Sequence, residues 1–211
     1  MIGAALGFYE VTGDAGYLDH ARALAEVLGN HYRDADTGNY FYTADDAETL
    51  ISRTRTAADN ATPAGNGALV GWLARLYHVT GDAAYDEGAN EIVSAFGGDV
   101  ERLHHALISL MNGFEDLVGL VQIVIVGDPA QPATAALVAA AHSAPLANRV
   151  ISLIGPNANL PEGHPAHGKK APDGPAAFVC VGTTCSLPVT TPDALRDQLG
   201  QTGPASKPAL A

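Results

Sequence analysis

Basic residues, cysteines and long apolar runs are all scarce in this sequence, and each scarcity excludes something. Eleven Lys and Arg stand against 23 Asp and Glu, a formal net charge of −12. The basic residues gather nowhere beyond the pair Lys169 and Lys170, so the basic stripe that a phosphate backbone requires is missing and no nucleic acid is expected as a partner. The longest apolar run, Gly119 to Val126, is too short to cross a bilayer, and the N-terminus lacks the basic start and cleavage site of a secretory signal. No membrane partner follows, and a cytoplasmic location is expected. Two cysteines, Cys180 and Cys185, are no disulfide framework. The expectation is a pair of reduced, metal-free thiols.

What is present is a folded chain of 211 residues, 47% hydrophobic and only 16% charged. Apolar positions recur at helical spacing, first Ile2, Ala5, Leu6 and Tyr9, then Leu18, Ala21, Leu24, Ala25 and Leu28. Between them Thr12-Gly13-Asp14 reads as a stop and restart, with Gly13 taking the left-handed turn and Asp14 capping the next helix. The stretch Tyr9-Glu-Val-Thr-Gly-Asp-Ala-Gly-Tyr17 returns as Tyr77-His-Val-Thr-Gly-Asp-Ala-Ala-Tyr85, 68 residues later (77 − 9). This is an internal repeat of helix, turn and helix, and hairpins of that kind bury their apolar faces only by stacking in a ring or solenoid. Two copies are too few to close a ring.

Asp34 to Tyr42 mixes turn formers with aromatics and predicts a β-hairpin or long loop. A further helix is predicted over Glu101 to Leu117, with Leu103, Leu107, Leu110 and Phe114 on one side. From Gly119 the period changes. Val121 to Val126 reads as a buried strand, Pro132 to His142 as a helix, Arg149 to Ile154 and Ala176 to Val181 as further strands, and Pro192 to Leu199 as a last short helix. Strand, helix, strand predicts a parallel crossover, the Pro, Gly and Asn-rich stretch Gly155 to Pro175 an exposed loop, and the chain after Gly200 a frayed end. The fold expected is mainly α: residues 1–118 as helical hairpins of an incomplete α/α-barrel, 119–200 as a small α/β tail of about three strands, and 201–211 disordered.

Several stretches together carry a family resemblance: Asn39 to Ala47, Ala61-Thr-Pro-Ala-Gly-Asn66, the strand ending Val124-Ile-Val-Gly127, and Ala177 to Thr190 with its Cys-Val-Gly-Thr-Thr-Cys core. They resemble the C-terminal part of thioredoxin-domain-containing proteins related to the spermatogenesis-associated family. The resemblance implies an N-terminal thioredoxin-like domain joined to a six-hairpin α/α-barrel similar to N-acylglucosamine 2-epimerases and glycosidases. Neither a Cys-x-x-Cys pair nor the earlier hairpins occur here, so the chain is expected to be a C-terminal fragment. Met1, which opens inside a helical pattern without a cap, agrees with that. The missing thioredoxin-like domain and hairpins then become the expected partners.

In epimerase-like barrels the loops at one end form the site, which singles out Asp45 and Asp46 beside the aromatics Tyr40, Phe41 and Tyr42. Carboxylates next to aromatic rings hold sugar hydroxyls and stack sugar faces. The competing reading has Asp46 and Glu48 capping and charging a following helix. Asn60 and Asn66 flank a Thr-Pro turn, where they present amides to a ligand or serve the turn itself. His104, next to His105, is a candidate proton carrier. His78, exchanged for Glu10 in the repeat, reads as a tolerant surface site, and Trp72 as core or as the floor of a sugar pocket. The expected site is therefore Asp45, Asp46 and His104 for catalysis, with Tyr42, Asn66 and Trp72 for binding a small saccharide. No cofactor or metal is expected: Cys180, Cys185, His164 and His167 do not make a tight zinc set, and Gly127-Asp128-Pro129 follows a strand without a glycine-rich fingerprint. The rival to a carbohydrate-active protein is a non-enzymatic interaction scaffold.

Overall fold

A computed structural model describes residues 1–48, 51–156, 158, 160, 164, 166–171, 173–182 and 184–202. They form two compact units, one of Met1–Tyr9 with Asp14–Val118, the other of Glu10–Gly13 with the chain from Gly119 onward. Helices dominate and a small mixed sheet follows them. The mainly α architecture with an α/β tail is the one the periodicities imply.

The first helices in the chain are α1 (Ile2–Thr12) and α2 (Ala15–His31), and the repeat supplies α3 (Gly65–Thr80) and α4 (Ala83–Phe96). The Thr-Gly-Asp device works alike in both copies. Gly13 and Gly81 sit at φ 70° and 75°, a left-handed backbone that glycine adopts without a side-chain penalty. The carboxylates of Asp14 and Asp82 then accept from the N–H groups of Gly16 and Ala84, at 2.9 and 3.1 Å. α3 is the spine of this unit, burying Leu69, Val70, Leu73, Ala74, Leu76 and Val79. The stripe on α2 is less covered: of its five apolar positions only Ala21 is fully buried.

The predicted continuous helix over Glu101 to Leu117 is broken. A short α5 (Val100–Leu103) runs into a 3-10 turn, and α6 (Ile108–Gly119) restarts after Leu107. The restart is imposed from a distance, because Asp59 accepts from the Ser109 N–H at 2.8 Å while its other oxygen accepts from the Ala64 N–H at 2.8 Å. One carboxylate thus holds Ala64, the residue before α3, and also caps the start of α6, 50 residues along the chain from Asp59. α6 meets α3 backbone to backbone through Gly113, Gly67 and Gly71, since a Cβ on Gly113 would lie 2.8 Å from the Gly67 carbonyl oxygen. That crossing buries Leu107 and Leu110 and turns Phe114 out to solvent, against the single apolar side expected of the longer helix. Beside it Arg75 and Asp116 pair at 3.1 Å, both largely buried. Burial pushes the Asp116 carboxyl up, and Arg75 opposes it.

His78 is half-buried, so the surface reading is corrected; burial also pulls its imidazole below the ordinary value. No helix occurs among the described residues between His31 and Gly65, which removes the capping role foreseen for Asp46 and Glu48.

The second unit is a four-stranded sheet ordered β2-β1-β3-β4, with β1 (Val121–Val126), β2 (Arg149–Ile154), β3 (Ala176–Val181) and the two-residue β4 (Thr184–Cys185). β1 and β2 run parallel across α7 (Pro132–Ser143), as the strand-helix-strand order implies, and β3 returns antiparallel on the other side of β1. β1 is buried along its whole length, hence its unbroken β-branched run. Ile123, Ile125, Ile151 and Val179 face Leu137 of α7 and Leu195 of α8 (Pro192–Gln201). Val124, Val126 and Phe178 face the opposite side, where Ala166 is buried with them. The stretch Gly155–Pro175 is therefore not simply an exposed loop: His164 and Ala166 are buried. Glu10 guards the outer edge of β2, its carboxylate accepting from the Ile151 N–H at 3.3 Å, as an uncovered strand edge requires. Gln201 ends α8, and the tail expected to be disordered lies, from residue 203 on, outside the described residues.

Cys180 and Cys185 are joined as a disulfide, which corrects the expectation of free thiols. β3 doubles back through Gly182 at φ 56°, and the short return sets Cys180 and Cys185 directly opposite one another as register partners. A spacing of five does not reveal that register; the turn creates it.

Candidate functional site

The helical unit contains a cavity of about 360 Å³ between α2, α3 and the loop that follows α2. Leu24 and Leu28 come from α2, Tyr40, Phe41 and Tyr42 from the loop, and Asn66, Leu69 and Trp72 from α3. The loop is held rigidly enough to form a wall. Tyr40 bridges antiparallel to Arg33, the Phe41 N–H donates to the Tyr32 carbonyl at 2.9 Å, and the Tyr42 N–H donates to the Thr54 carbonyl at 3.0 Å. Arg53 and Arg55 lie over the Phe41 ring at 4.2 and 5.0 Å. Arg55 also pairs with Asp34, and Arg53 donates to the carbonyls of Thr43 and His31.

Asn66 fastens this wall to α3. Its Oδ1 accepts from the Tyr40 N–H at 2.8 Å, while its Nδ2 donates to the carbonyls of Tyr40 and Thr56 at 2.8 and 3.1 Å. Both donors of the amide are thereby engaged on backbone and its oxygen accepts from it. Burial pushes the Tyr40 phenol up, which fits a water-poor wall.

Of the six residues singled out in the sequence, the cavity collects Tyr42, Asn66 and Trp72. Asp45, Asp46 and His104 are not among its lining residues. His104 sits in the exposed 3-10 turn His104–Ala106, its ring 5.6 Å from that of His105. Asp45 and Asp46 face His31, at 2.9 and 3.7 Å from its Nδ1. The Asp45 N–H also donates to the His31 carbonyl at 2.9 Å, folding this turn onto the end of α2. Sequence reasoning missed His31 because nothing local marks a residue 14 positions away as the partner of Asp45.

The hydrogen bond that His31 donates to Asp45, helped by the charge of Asp46, holds the His31 imidazole above its ordinary 6.5. The same bond holds Asp45 below the usual carboxylate range. A raised histidine value means that the interaction is fully present below the unfolded value of 6.5 and is lost as pH rises through the higher folded value. Proton NMR titration of His31 is expected to show this raised midpoint, and Asp45→Asn is expected to bring it back toward 6.5. An unchanged midpoint in that variant would refute the pairing. His31, Asp45 and Asp46 each bring a ligand atom within 4.8 Å of the others, but all three are solvent-accessible and such groups are common without an ion. We assign none.

No family model matches the sequence. It is similar to Spermatogenesis-associated protein 20. Identity is 29% over 200 residues with the Homo sapiens protein, covering 92% of this chain and 25% of the relative. With the Rattus norvegicus and Mus musculus proteins it is 28% over 202 residues, 93% of this chain and 26% of each relative. The chain thus spans about a quarter of the length of the curated relatives it matches. The similarity agrees with the family resemblance carried by the aromatic loop and the Cys-x4-Cys segment, and it brings no activity with it. Among the described residues, no helix is long and apolar enough to cross a membrane.

Proposed function

We propose that this chain is a non-enzymatic interaction module, in which the cavity of the helical unit seats an apolar segment of a polypeptide. One observation carries the reading: the cavity is walled by aromatic and aliphatic side chains, whereas the carboxylates and the histidine suited to catalysis lie outside it. A saccharide needs several directed hydrogen bonds to replace those it loses to water, and Asn66 has no free donor to offer. An apolar side chain needs only burial. At about 360 Å³ the space suits one or two large side chains. The occupant proposed is a segment of a longer protein of the spermatogenesis-associated type, from its thioredoxin-like domain or from further hairpins of an epimerase-like α/α-barrel.

A second reading keeps the cavity as a saccharide site, because Tyr42 and Trp72 share it and their rings can stack on a sugar face. Trp72 is the only tryptophan in the sequence, so its fluorescence reports the cavity directly. Titration with a Leu- and Phe-rich amphipathic peptide is expected to give a saturable blue shift that Leu24→Asp abolishes, whereas mono- and disaccharides at millimolar concentration leave the spectrum unchanged. A saturable response to a saccharide with none to the peptide would overturn the interaction reading in favour of the sugar site.

A further inference from the structure

We propose that the Cys180–Cys185 bond is a thiol–disulfide exchange site, with Cys185 as the exchanging sulfur and Cys180 as the resolving one, and that its partner is a thiol/disulfide couple of the glutathione class. Two features of the β3–β4 hairpin lead there.

The bond is structurally redundant. The hairpin is already held by the Ser186 N–H donating to the Val179 carbonyl at 2.8 Å and by the paired bonds between Ala177 and Val189 at 2.8 and 2.9 Å. Ser186 adds a side-chain bond, its Oγ accepting from the Val179 N–H at 3.1 Å. A disulfide between residues only five apart closes a small loop, and small loops give up the least chain entropy on cross-linking. Register here comes from backbone pairing and from the turn at Gly182.

The two sulfurs also differ in access. Cys180 is 3% exposed and packs with Phe178 and Val124 on the buried face of the sheet, whereas Cys185 is exposed on a two-residue edge strand. Cys185 is therefore the half of the bond that a thiolate from solvent approaches more readily. Exchange needs that access, and the accessible sulfur is the one attacked.

In the reducing direction a thiolate attacks Cys185 Sγ, forming a mixed disulfide there and releasing Cys180 as a thiolate that takes a proton. A second thiolate then attacks the partner sulfur of the mixed disulfide and leaves as the oxidised partner, and the Cys185 thiolate takes a proton. Two thiols of the partner are oxidised to one disulfide as the protein disulfide is reduced to two thiols. In the oxidising direction the Cys185 thiolate attacks the partner disulfide and releases one partner thiolate, and the Cys180 thiolate resolves the adduct by attacking Cys185 Sγ and releasing the second partner thiolate; each takes a proton.

The test uses the full chain in mixtures of reduced and oxidised glutathione, with free thiols counted and adducts read by mass spectrometry. Wild type is expected to pass reversibly from oxidised to reduced across these mixtures without accumulating an adduct, whereas a purely structural disulfide resists reduction by this pool. Cys180→Ser is expected to accumulate one glutathione adduct, at Cys185, and Cys185→Ser is expected to accumulate none while it remains folded. A wild-type bond that stays intact in excess reduced glutathione overturns the proposal. So does equal adduct formation in the two folded variants, which would contradict the assigned roles. The wild-type titration decides the matter even if either variant fails to fold.

Discussion

Asp59→Ala is expected to destabilise the helical unit by about 2–3 kcal/mol, since it removes the cap of α6, which contributes about 1 kcal/mol, and leaves the Ala64 N–H before α3 without its acceptor, a further cost of about 1–2 kcal/mol. Asp59 accepts from Ala64 at the start of α3 and from Ser109 at the start of α6, so one side chain joins helix starts that local sequence would treat as independent. Burial pushes its carboxyl up, but the N–H groups of Ala64, Ser109 and Ile108 together with the Ser109 hydroxyl outweigh this and hold it below the usual carboxylate range. For a depressed carboxylate the stabilising contribution is present above the unfolded value, roughly pH 4, and is lost as pH falls through the folded value. Urea unfolding by circular dichroism should therefore show the gap between wild type and Asp59→Ala narrowing below roughly pH 4. A gap independent of pH would refute the charged acceptor at Asp59. Asp59→Asn is expected to retain part of the stability, because its amide oxygen still accepts from one helix start.

The second large effect is expected at the helix crossing. Gly113→Ala places a Cβ 2.8 Å from both the Gly67 carbonyl oxygen and the Val70 Cβ, and 3.0 Å from the Gly71 nitrogen. Two of these neighbours are backbone, which cannot swing aside, so α6 must move away from α3. Overpacking of this kind costs about 1–3 kcal/mol, and here it must also exceed the roughly 1 kcal/mol that alanine contributes over glycine inside a helix. Because the clash is with backbone, a net loss of about 1–2 kcal/mol is expected in thermal or urea unfolding. Gly29→Ala is the control: it lies on α2, and a Cβ there meets nothing within 4 Å. That variant is expected to gain up to about 1 kcal/mol. If both substitutions were stabilising, the close approach of α6 to α3 would be wrong.

Much of the frame was legible in the sequence because it is written in local chemistry. Thr-Gly-Asp stops one helix and caps the next through atoms one to three residues apart, so it folds the same way at Gly13 and at Gly81. The run Val121–Val126 announces a strand covered on both faces, and Pro132 announces the helix after it. Half of the candidate site was legible for a related reason. Tyr42, Asn66 and Trp72 are residue types that suit a concave wall, and the fold brings them to one cavity. The role of Asn66 was not legible, because its partners Tyr40 and Thr56 lie 26 and 10 residues away.

The sequence by itself determined where most helices and strands form and that the chain changes from helical to mixed architecture near Gly119, since propensity, periodicity and capping act over a few residues. Only the tertiary structure decided which distant groups meet. Asp59 reaches Ser109 and breaks the helix predicted through Leu107; His31 turns Asp45 and Asp46 away from the aromatic wall; the hairpin at Gly182 brings Cys185 opposite Cys180. Each of these outcomes depends on a register or a crossing between segments, and a register has no signature in the residues of either segment alone.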